Sequence, residues 1–369
     1  MPMLADSQPT IGRVGSSTAV MRAIAELRRG GLIVLESGDA VSLIGAAEIV
    51  TDPKVLAVLT GRPVGLVMGG ARLASLLPPL AGEEEGAVVD IEGCSARDVE
   101  RFLDPGFQGP LDSDLSRQAA TTAQITGLEL MKLARLLPAA LVSPLDEPAA
   151  AFAQRHDLLT VASRDIDELR ELTRAGLTEV ARASVPLLES VDTTIVAFRP
   201  ADGGKEHLAI VLGSPDLEEP ALVRLHSECF TGDLLSSLRC DCGDQLQGAL
   251  REIAASGGGI ILYLAQEGRG IGLVNKLRAY QLQDHGFDTI EANHLLGFDA
   301  DERVYRPAAD MLRQLGVSTV RLMTNNPAKV RALEDCGIRV RQRVPHAFPA
   351  NGHNERYLRT KALRAGHIL

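Results

Sequence analysis

The chain has 369 residues and a formal net charge of −10 at pH 7, and 45% of its residues are hydrophobic against 23% charged. That length predicts a globular protein of two domains, each large enough to bury its own core. The acidic excess, together with only 3% aromatic residues, argues against nucleic-acid binding. Residues 1–6 show no signal-peptide pattern, and no apolar run reaches the roughly 20 residues that span a bilayer. We therefore expect a cytoplasmic protein that does not bind a membrane.

The first half of the chain alternates helical and extended patterns, which predicts an α/β layer structure. The predicted elements are helices at 19–29 and 128–137, strands at 32–35 and 139–142, and loops at 81–86 and 104–114. We place this domain at residues 16–188, after a flexible N-terminus at residues 1–15.

A second domain is predicted at residues 189–369, where three consecutive strands come first and helices then alternate with strands. The predicted strands are 194–198, 208–212, 222–225, 260–264 and 320–323, and the predicted helices are 245–255, 273–284 and 307–315. Asn326-Pro327 predicts one more helix start, with Asn as the N-cap and Pro as the first helical residue. Two domains of this kind give the fold class α/β (α+β).

Three of the five cysteines lie close together in the second domain, at Cys229, Cys240 and Cys242. Three thiolates supply zinc with three soft ligands and leave its fourth tetrahedral position open, where a water can be polarised. His226 could instead close the site as a fourth ligand. The cysteines could also be core thiols, although arginine and aspartate beside them make a poor apolar core. Cys94 and Cys336 are interpreted as small core residues, since an odd cysteine count argues against a disulfide framework.

A glycine-rich segment, GRGIG at 268–272, follows a predicted strand and precedes a predicted helix. Backbone N–H groups at such a helix start favour phosphate, although a turn that needs positive φ would use the same glycines. Four cationic side chains at predicted strand ends or loops strengthen the phosphate interpretation. They are Arg224, Arg269, Arg303 and Lys329.

A series of short motifs runs through the second half of the chain. In order they are RLHSEC (224–229), TGD (231–233), LRCDCG (238–243), QEGRGIGL (266–273), NK (275–276), RAY (278–280), EAN (291–293), DER (301–303) and LMTNNP (322–327). Together they closely resemble GTP cyclohydrolase II. The resemblance covers residues 224 to about 367 and implies a mixed-sheet domain, a homodimer and an enzyme of riboflavin biosynthesis. Its reaction converts GTP to 2,5-diamino-6-ribosylamino-4(3H)-pyrimidinone 5′-phosphate, formate and pyrophosphate.

The resemblance also implies roles for individual residues. It implies that one zinc ion per chain is bound by Cys229, Cys240 and Cys242. It implies that GTP is contacted by Arg224, Leu225, His226, Ser227, Glu228, Gln245, Glu267, Gly268, Arg269, Thr289, Thr324 and Lys329. It implies that the catalytic residues are Asp301 as proton acceptor, Arg303 as nucleophile and Tyr280 as a further catalytic side chain.

The chemistry of the reaction is consistent with these residue types. Zinc lowers the pKa of a bound water, and the resulting hydroxide can attack a purine carbon, as in zinc deaminases with cysteine-rich sites. Mg²⁺ with arginine and lysine would neutralise the charge that develops when pyrophosphate leaves. A nucleophilic role for Arg303 is at odds with the high pKa of guanidinium groups, so stabilisation of the transition state at the α-phosphate is an equally good interpretation.

The first domain resembles 3,4-dihydroxy-2-butanone 4-phosphate synthase over residues 17–170, at 23–35, 46–48, 133–136 and 149–166. That synthase needs a dense acidic loop after its first strand and a metal-binding histidine before a late helix. Here residues 36–43 contain few carboxylates, and Thr126 stands in place of the histidine. A hard cation would have too few oxygen ligands. We therefore predict a degenerate domain that is retained for folding, dimerisation or regulation.

Two alternatives to this function stay open at the level of sequence. The chain could be a paralogue of the same family that acts in uracil or pyrimidine catabolism. It could also be a non-catalytic zinc- and GTP-binding regulator in which the zinc site is closed and structural, although Asp301, Arg303 and Tyr280 argue against that.

Overall fold

The structure is a computed structural model that describes residues 11–50, 52–78, 81–92, 94, 96–107, 115–174, 176–216, 219–364, 366 and 368. Two compact units account for the chain. The first ends at Glu171 and also includes Leu295–Gly297, and the second comprises Leu172–His294 and Phe298–Leu369. This division comes earlier than residue 189 because the strand Leu177–Ser184 pairs with the sheet of the second unit. The assignment of functions to the two domains stays a prediction.

The first unit contains a mixed sheet with helices packed against it. Its elements are α1 (Ile11–Arg28), β1 (Leu32–Ser37), β2 (Ala40–Ala46), α2 (Lys54–Thr60), β3 (Gly65–Met68), α3 (Gly70–Leu76), β4 (Ala87–Asp90), α4 (Ala96–Leu103), β5 (Arg117–Ala119), α5 (Thr122–Leu133), β6 (Ala139–Pro144), α6 (Ala149–His156), β7 (Leu159–Ala162) and α7 (Ser163–Arg174). Within the described residues the sheet has seven strands in the order β5-β4-β3-β6-β2-β1-β7.

Helix boundaries in the first unit differ from those predicted. α1 begins at Ile11, within the stretch expected to be flexible. α5 begins six residues before the predicted start at 128 because Thr121 and Gln124 form a capping box, a signal that the sequence offered and the prediction missed. It ends at Leu133, since Arg135 adopts positive φ. The predicted loop at 104–114 lies partly outside the described residues.

The second unit carries a second mixed sheet. Its strands are β8 (Leu177–Ser184), β9 (Thr193–Pro200), β10 (His207–Gly213), β11 (Ala221–Ser227), β12 (Gly258–Leu264), β13 (Thr319–Met323) and β14 (Arg339–Val344). Its helices are α8 (Cys242–Ala255), α9 (Leu273–Asp284), α10 (Thr289–Leu295), α11 (Arg306–Gln314), α12 (Pro327–Asp335) and α13 (Glu355–Arg364). Among the described residues the strand order is β14-β13-β11-β12-β10-β9-β8. The predicted α/β fold class with two domains is confirmed.

The strands of the second sheet bury side chains on both faces. Val223, Leu225 and Leu262 pack with α11, α12 and their neighbours on one face. Leu222 and Ile261, which alternate with them, pack against α8 on the other. This period-2 alternation sandwiches the sheet between helices. At the start of α12, Asn326 accepts a hydrogen bond from the Ala328 amide at 2.9 Å, with Pro327 as the first helical residue, as predicted.

Candidate active site

The candidate site lies where the parallel strands of the second sheet end. β11 runs parallel to both β12 and β13, so their carboxyl ends lie along one edge of the sheet. The segments after these strands are the ones in which the sequence motifs occur: 227–233 after β11, 265–272 after β12 and 324–327 after β13. Such an edge is where ligands bind in open α/β sheets.

The three cysteines of the motif come together at this edge. Their sulfur atoms all lie within 4.8 Å of one another, and the Sγ atoms of Cys229 and Cys240 are 3.8 Å apart. Zinc–sulfur bonds of about 2.3 Å in a tetrahedral shell require sulfur atoms about 3.8 Å apart. Cys242 is also the first residue of α8. The donor set and its spacing therefore fit zinc.

Only a glycine fits beside the three sulfurs. A Cβ atom on Gly232 would lie 2.8 Å from Cβ of Cys242, 2.9 Å from Sγ of Cys240 and 3.0 Å from Sγ of Cys229. The Gly232 amide instead donates a hydrogen bond to Sγ of Cys229 at 3.3 Å. The glycine thus lets the backbone of the π-helical turn Phe230–Leu234 approach the cluster.

The protonation of the cluster is shared among its members. Hydrogen bonds from Cys240 and Cys242, with a smaller contribution from Lys276, hold the pKa of Cys229 well below its usual value. The hydrogen bond with Cys229 raises the pKa of Cys240 to about 11. Hydrogen bonds with Cys229 and Cys240 raise the pKa of Cys242 as well. One thiolate held by two thiols is the form that a metal ion converts to three thiolates by displacing protons.

His226 does not join the cysteines as a ligand within this arrangement. Its Nε2 lies 3.0 and 3.2 Å from the two carboxylate oxygens of Asp233. Asp233 also accepts hydrogen bonds from Tyr263 Oη and the Cys229 amide, each at 2.9 Å. Burial lowers the pKa of His226, so the ring is neutral at pH 7. The described residues place no further His, Cys, Asp or Glu ligand atom within the 4.8 Å cluster, which leaves three protein ligands.

Arg224 is buried at the base of the site. Its Nη1 donates to the Met323 carbonyl at 3.0 Å, and its Nη2 donates to Oε1 of Gln245. Burial lowers the pKa of Arg224 to about 10, so the group remains cationic at neutral pH. Three buried polar atoms at this end of β11 have no hydrogen-bond partner among the described residues: Arg224 Nε, His226 Nδ1 and Ser227 Oγ. Buried polar atoms without a partner are uncommon, and three at one place call for an explanation such as ordered water or a functional role.

Glu267 and Lys276 form a buried pair next to the cysteines. Lys276 Nζ lies 2.8 Å from Oε1 of Glu267, and the two side chains are 10% and 6% exposed. Glu267 Oε2 accepts the Phe230 amide at 2.6 Å, and Oε1 also accepts the Gly268 amide. Both carboxylate oxygens of Glu267 therefore accept hydrogen bonds from the protein itself.

The glycine-rich segment forms a tight turn, Glu267–Gly270, in which Gly268 and Arg269 have φ of 64° and 63°. Arg269 is one of the few described non-glycine residues with positive φ, and such backbone strain is concentrated at functional sites. A Cβ on Gly270 would lie 2.9 Å from the Glu302 carbonyl. The turn therefore packs closely against the 299–303 loop, and Glu302 N donates to the Arg269 carbonyl at 3.1 Å.

Asp301 and Arg303 form a bidentate ion pair. Arg303 Nε lies 2.7 Å from Oδ1 of Asp301, and Nη2 lies 2.6 Å from Oδ2. Burial opposes ionisation of Asp301, but the hydrogen bonds and charge of Arg303 outweigh it and lower the pKa of Asp301. The carboxylate is therefore a weak base, and its geometry orients the guanidinium. Tyr280 is half-buried, and burial raises its pKa, so its hydroxyl stays protonated at pH 7.

A cavity of about 130 Å³, partly open to solvent, brings these groups together. Two of the predicted residues do not line it: Leu225, which is buried in the core, and Asp301, which is paired with Arg303. The predicted residues that line it are Arg224, His226, Ser227, Glu228, Cys229, Cys240, Cys242, Gln245, Glu267, Gly268, Arg269, Tyr280, Thr289, Arg303, Thr324 and Lys329. The lining residues that the sequence prediction gave no role are Arg239, Ile271, Lys276, Ala279, Gln283, Asn293, Asn325 and His346.

Some of the missed residues carried a signal in the sequence. Lys276 lies four residues before Tyr280, so both side chains are on one face of α9. Asn325 belongs to the TNNP motif, and its amide donates to the His346 carbonyl at 2.8 Å. No pattern in the sequence indicated His346, because it enters the site from a loop after β14.

Comparison with known proteins agrees with this geometry. The family model for GTP cyclohydrolase II matches residues 178–345. A GTP cyclohydrolase-2 from Azospirillum brasilense is 53% identical over 365 residues, which covers 95% of this chain and 94% of the relative. The chain belongs to the GTP cyclohydrolase II family. The prediction of an enzyme of this family is thereby confirmed.

Other members of the GTP cyclohydrolase II family match mainly one half of the chain. The enzyme from Azotobacter vinelandii is 58% identical over 176 residues, covering 48% of this chain and 85% of its own length. A solved two-domain 3,4-dihydroxy-2-butanone 4-phosphate synthase from A. baumannii covers 88% of this chain and 99% of its own, with 17% identity and a TM-score of 0.34. At that similarity it supports no conclusion. Among the described residues, no helix has the length and apolar character needed to cross a bilayer.

Proposed function

We propose that the second unit is a zinc-dependent GTP cyclohydrolase II that hydrolyses GTP to 2,5-diamino-6-ribosylamino-4(3H)-pyrimidinone 5′-phosphate, formate and pyrophosphate. This is the first step of riboflavin biosynthesis. The observation that supports it best is the cluster of three cysteine sulfurs, whose residues line the same cavity as Arg224, Arg269 and Arg303. A homodimer and Mg²⁺ bound with the triphosphate belong to the same proposal.

Cys229, Cys240 and Cys242 would hold the zinc. Bound there, it supplies a Lewis acid that makes water a stronger nucleophile toward C8 of the guanine. The residues of the chain then perform the binding and the proton transfers. The polar atoms of Arg224, His226 and Ser227, which face no protein partner among the described residues, provide hydrogen bonds to the nucleotide.

The triphosphate would lie near the cationic side of the cavity. Arg303 and Arg269 line it, and Arg303 is held in one orientation by both oxygens of Asp301. A fixed guanidinium stabilises the charge that develops as pyrophosphate leaves the α-phosphate. We assign Arg303 this electrostatic role because a guanidinium that stays protonated is a poor nucleophile. Tyr280, with its hydroxyl protonated, can donate a hydrogen bond to the substrate.

The test is product analysis. The protein, supplied with zinc, Mg²⁺ and GTP, should release formate and pyrophosphate in equal amounts and form the pyrimidine product, identified by mass spectrometry. Formate without pyrophosphate would remove the proposed role of Arg303. Stoichiometric GTP binding without any formate would overturn catalysis and favour a nucleotide-binding regulator.

The first unit, by the same proposal, has no synthase activity. β1 and β2 are joined by a two-residue turn at Gly38 and Asp39, with Ser37 paired to Ala40, so the hairpin has no room for a dense acidic loop. Thr126, which stands in place of the synthase histidine, donates its hydroxyl to the Thr122 carbonyl at 2.9 Å. Incubation with ribulose 5-phosphate and Mg²⁺ should yield no butanone phosphate. Detection of that product would contradict this part of the proposal.

A further inference from the structure

Lys276 is a buried cation that contacts the cysteine cluster. Its ammonium group has three N–H donors and three partners. These are Sγ of Cys229 at 3.0 Å, Oγ1 of Thr231 at 3.0 Å and Oε1 of Glu267 at 2.8 Å. The residue is only 8% exposed, so water does not compete for these hydrogen bonds.

The three cysteines differ in the hydrogen bonds that they receive. Sγ of Cys229 accepts from Lys276 Nζ and from the Gly232 amide, and the Thr231 hydroxyl lies 3.8 Å from it. A charge-assisted donor withdraws electron density from a thiolate more strongly than a neutral one. Three thiolates around a divalent ion leave a net negative charge, which weakens the ion as a Lewis acid. A cation bonded directly to one sulfur offsets that charge.

We infer that Lys276 is a positioning residue that offsets the negative charge of the zinc–thiolate site through its hydrogen bond to Cys229. The inference rests on the proposed function, because it requires a metal at the cysteines. Groups around a metal's own ligands tune the metal in this way, and their loss commonly costs 10- to 100-fold in affinity or activity.

Glu267 holds Lys276 in place and determines how the inference must be tested. Its Oε1 accepts from Lys276, while Oε2 accepts the Phe230 amide at 2.6 Å next to Cys229. A substitution of Lys276 alone therefore leaves a buried carboxylate without its cation, which is destabilising for reasons unrelated to the metal. The double variant K276M/E267Q removes both charges and isolates the contact with sulfur.

The test uses Co²⁺ in place of zinc, because thiolate-to-cobalt charge-transfer absorption reports the electron density on sulfur. We expect this band to shift to longer wavelength in K276M and in K276M/E267Q, and to stay near the wild-type position in K276R, which keeps the cation. We also expect kcat for formate release to fall roughly 10- to 100-fold in K276M, with a much smaller change in KM for GTP.

Each outcome decides the inference. A metal-bound K276M with an unshifted band overturns it, and so does a shift in K276M that disappears in K276M/E267Q, since Lys276 would then only balance Glu267. If K276M does not fold, the same comparison is made with K276Q, and an unshifted band there also overturns the inference. Wild-type protein that takes up no Co²⁺ contradicts the metal site of the proposed function itself, and the inference with it.

Discussion

The two units contain similar elements but use buried charge in different ways. In the first unit, Arg72 is 4% exposed, and its guanidinium donates to the carbonyls of Phe102, Phe107 and Asp104 at 3.2, 3.2 and 2.6 Å. Glu83 and Arg117 form a second pair at 2.8 Å. These charges are satisfied by the protein itself, and they hold the end of α4 and the edge of the sheet.

In the second unit, several buried polar atoms have no hydrogen-bond partner among the described residues, and three of the residues that carry them line the cavity. Among the described residues, all buried side-chain atoms without a hydrogen-bond partner belong to this unit, and three of them lie at the end of β11. A buried polar group with all its hydrogen bonds is tolerated in a folded core, whereas one without a partner costs free energy and calls for a functional explanation. The comparison therefore predicts that substitutions in the first unit change stability and that those at the cavity change activity.

The largest effect is expected at the metal ligands. Cys240→Ser replaces a soft thiolate by a hydroxyl, which is a poor zinc ligand. Formate release from GTP should fall more than about 100-fold, because even the loss of supporting groups costs 10- to 100-fold, and bound zinc should fall in parallel. Cys336→Ser, in the same unit but outside the cavity, is the matched control and should retain activity and metal. Undiminished turnover in Cys240→Ser would remove zinc from the mechanism.

The next effect tests the first unit. Arg72→Met removes a hydrogen bond from the carbonyls of Phe102, Phe107, Arg101 and Asp104, of which the Asp104 carbonyl keeps the Phe107 amide as a donor at 3.1 Å. At roughly 1–3 kcal/mol for each buried group left unsatisfied, the free energy of unfolding should fall by about 3 kcal/mol or more, measured by urea denaturation followed by circular dichroism. Turnover per folded molecule should not change. Exposed Arg97→Met is the control, and equal stability of the two variants would contradict the structural role of Arg72.

A smaller effect is expected from Gly232→Ala. The added Cβ would meet three atoms of the cysteine cluster at 2.8–3.0 Å, so the sulfurs must move apart. Zinc affinity, measured by competition with a chelator, should fall roughly 10- to 100-fold. Gly352→Ala is the control, since a Cβ there meets nothing within 4 Å. Unchanged affinity in Gly232→Ala would show that the cluster tolerates a wider spacing than zinc requires.

The smallest effect concerns the Asp301–Arg303 pair. Because the pKa of Asp301 is lowered in the folded protein, its contribution to stability is present above the unfolded value near 3.9 and is lost as pH falls through the folded pKa. Wild type should be more stable than Asp301→Asn by about 1 kcal/mol or less at pH 7, since the carboxylate is 37% exposed and solvent screens it. Urea denaturation should give the same difference at pH 7 and pH 5. A difference that changes between those values would indicate a carboxyl group that titrates near neutrality.

Part of this comparison could be predicted from the sequence. Three cysteines at close spacing predicted the cluster because thiolates in such a pattern have few other uses. The helix start at Asn326-Pro327 was correct because the cap itself defines the boundary. Leu225 was assigned to GTP by resemblance, and its contact with GTP stays a prediction; alternation along β11 buries its side chain in the core.

Other features depend on tertiary contacts that no local pattern encodes. The pairing of Lys276 with Cys229 spans 47 residues, although Lys276 meets Glu267 locally, because the turn after β12 leads directly into α9. His346 reaches the cavity from a loop after β14, and its Nε2 lies 2.8 Å from the Gln245 carbonyl. The buried polar atoms of β11 that have no partner among the described residues could be recognised only once the surrounding residues had been placed.

The most direct test of the central claim is a zinc titration of metal-free protein with formate release as the readout. The rate should rise in proportion to added zinc and reach its maximum at one ion per chain, with Cys240→Ser showing no rise. Full activity in protein shown to contain no metal, or a maximum that Cys240→Ser also reaches, would contradict the claim that the three cysteines hold a zinc ion required for the reaction.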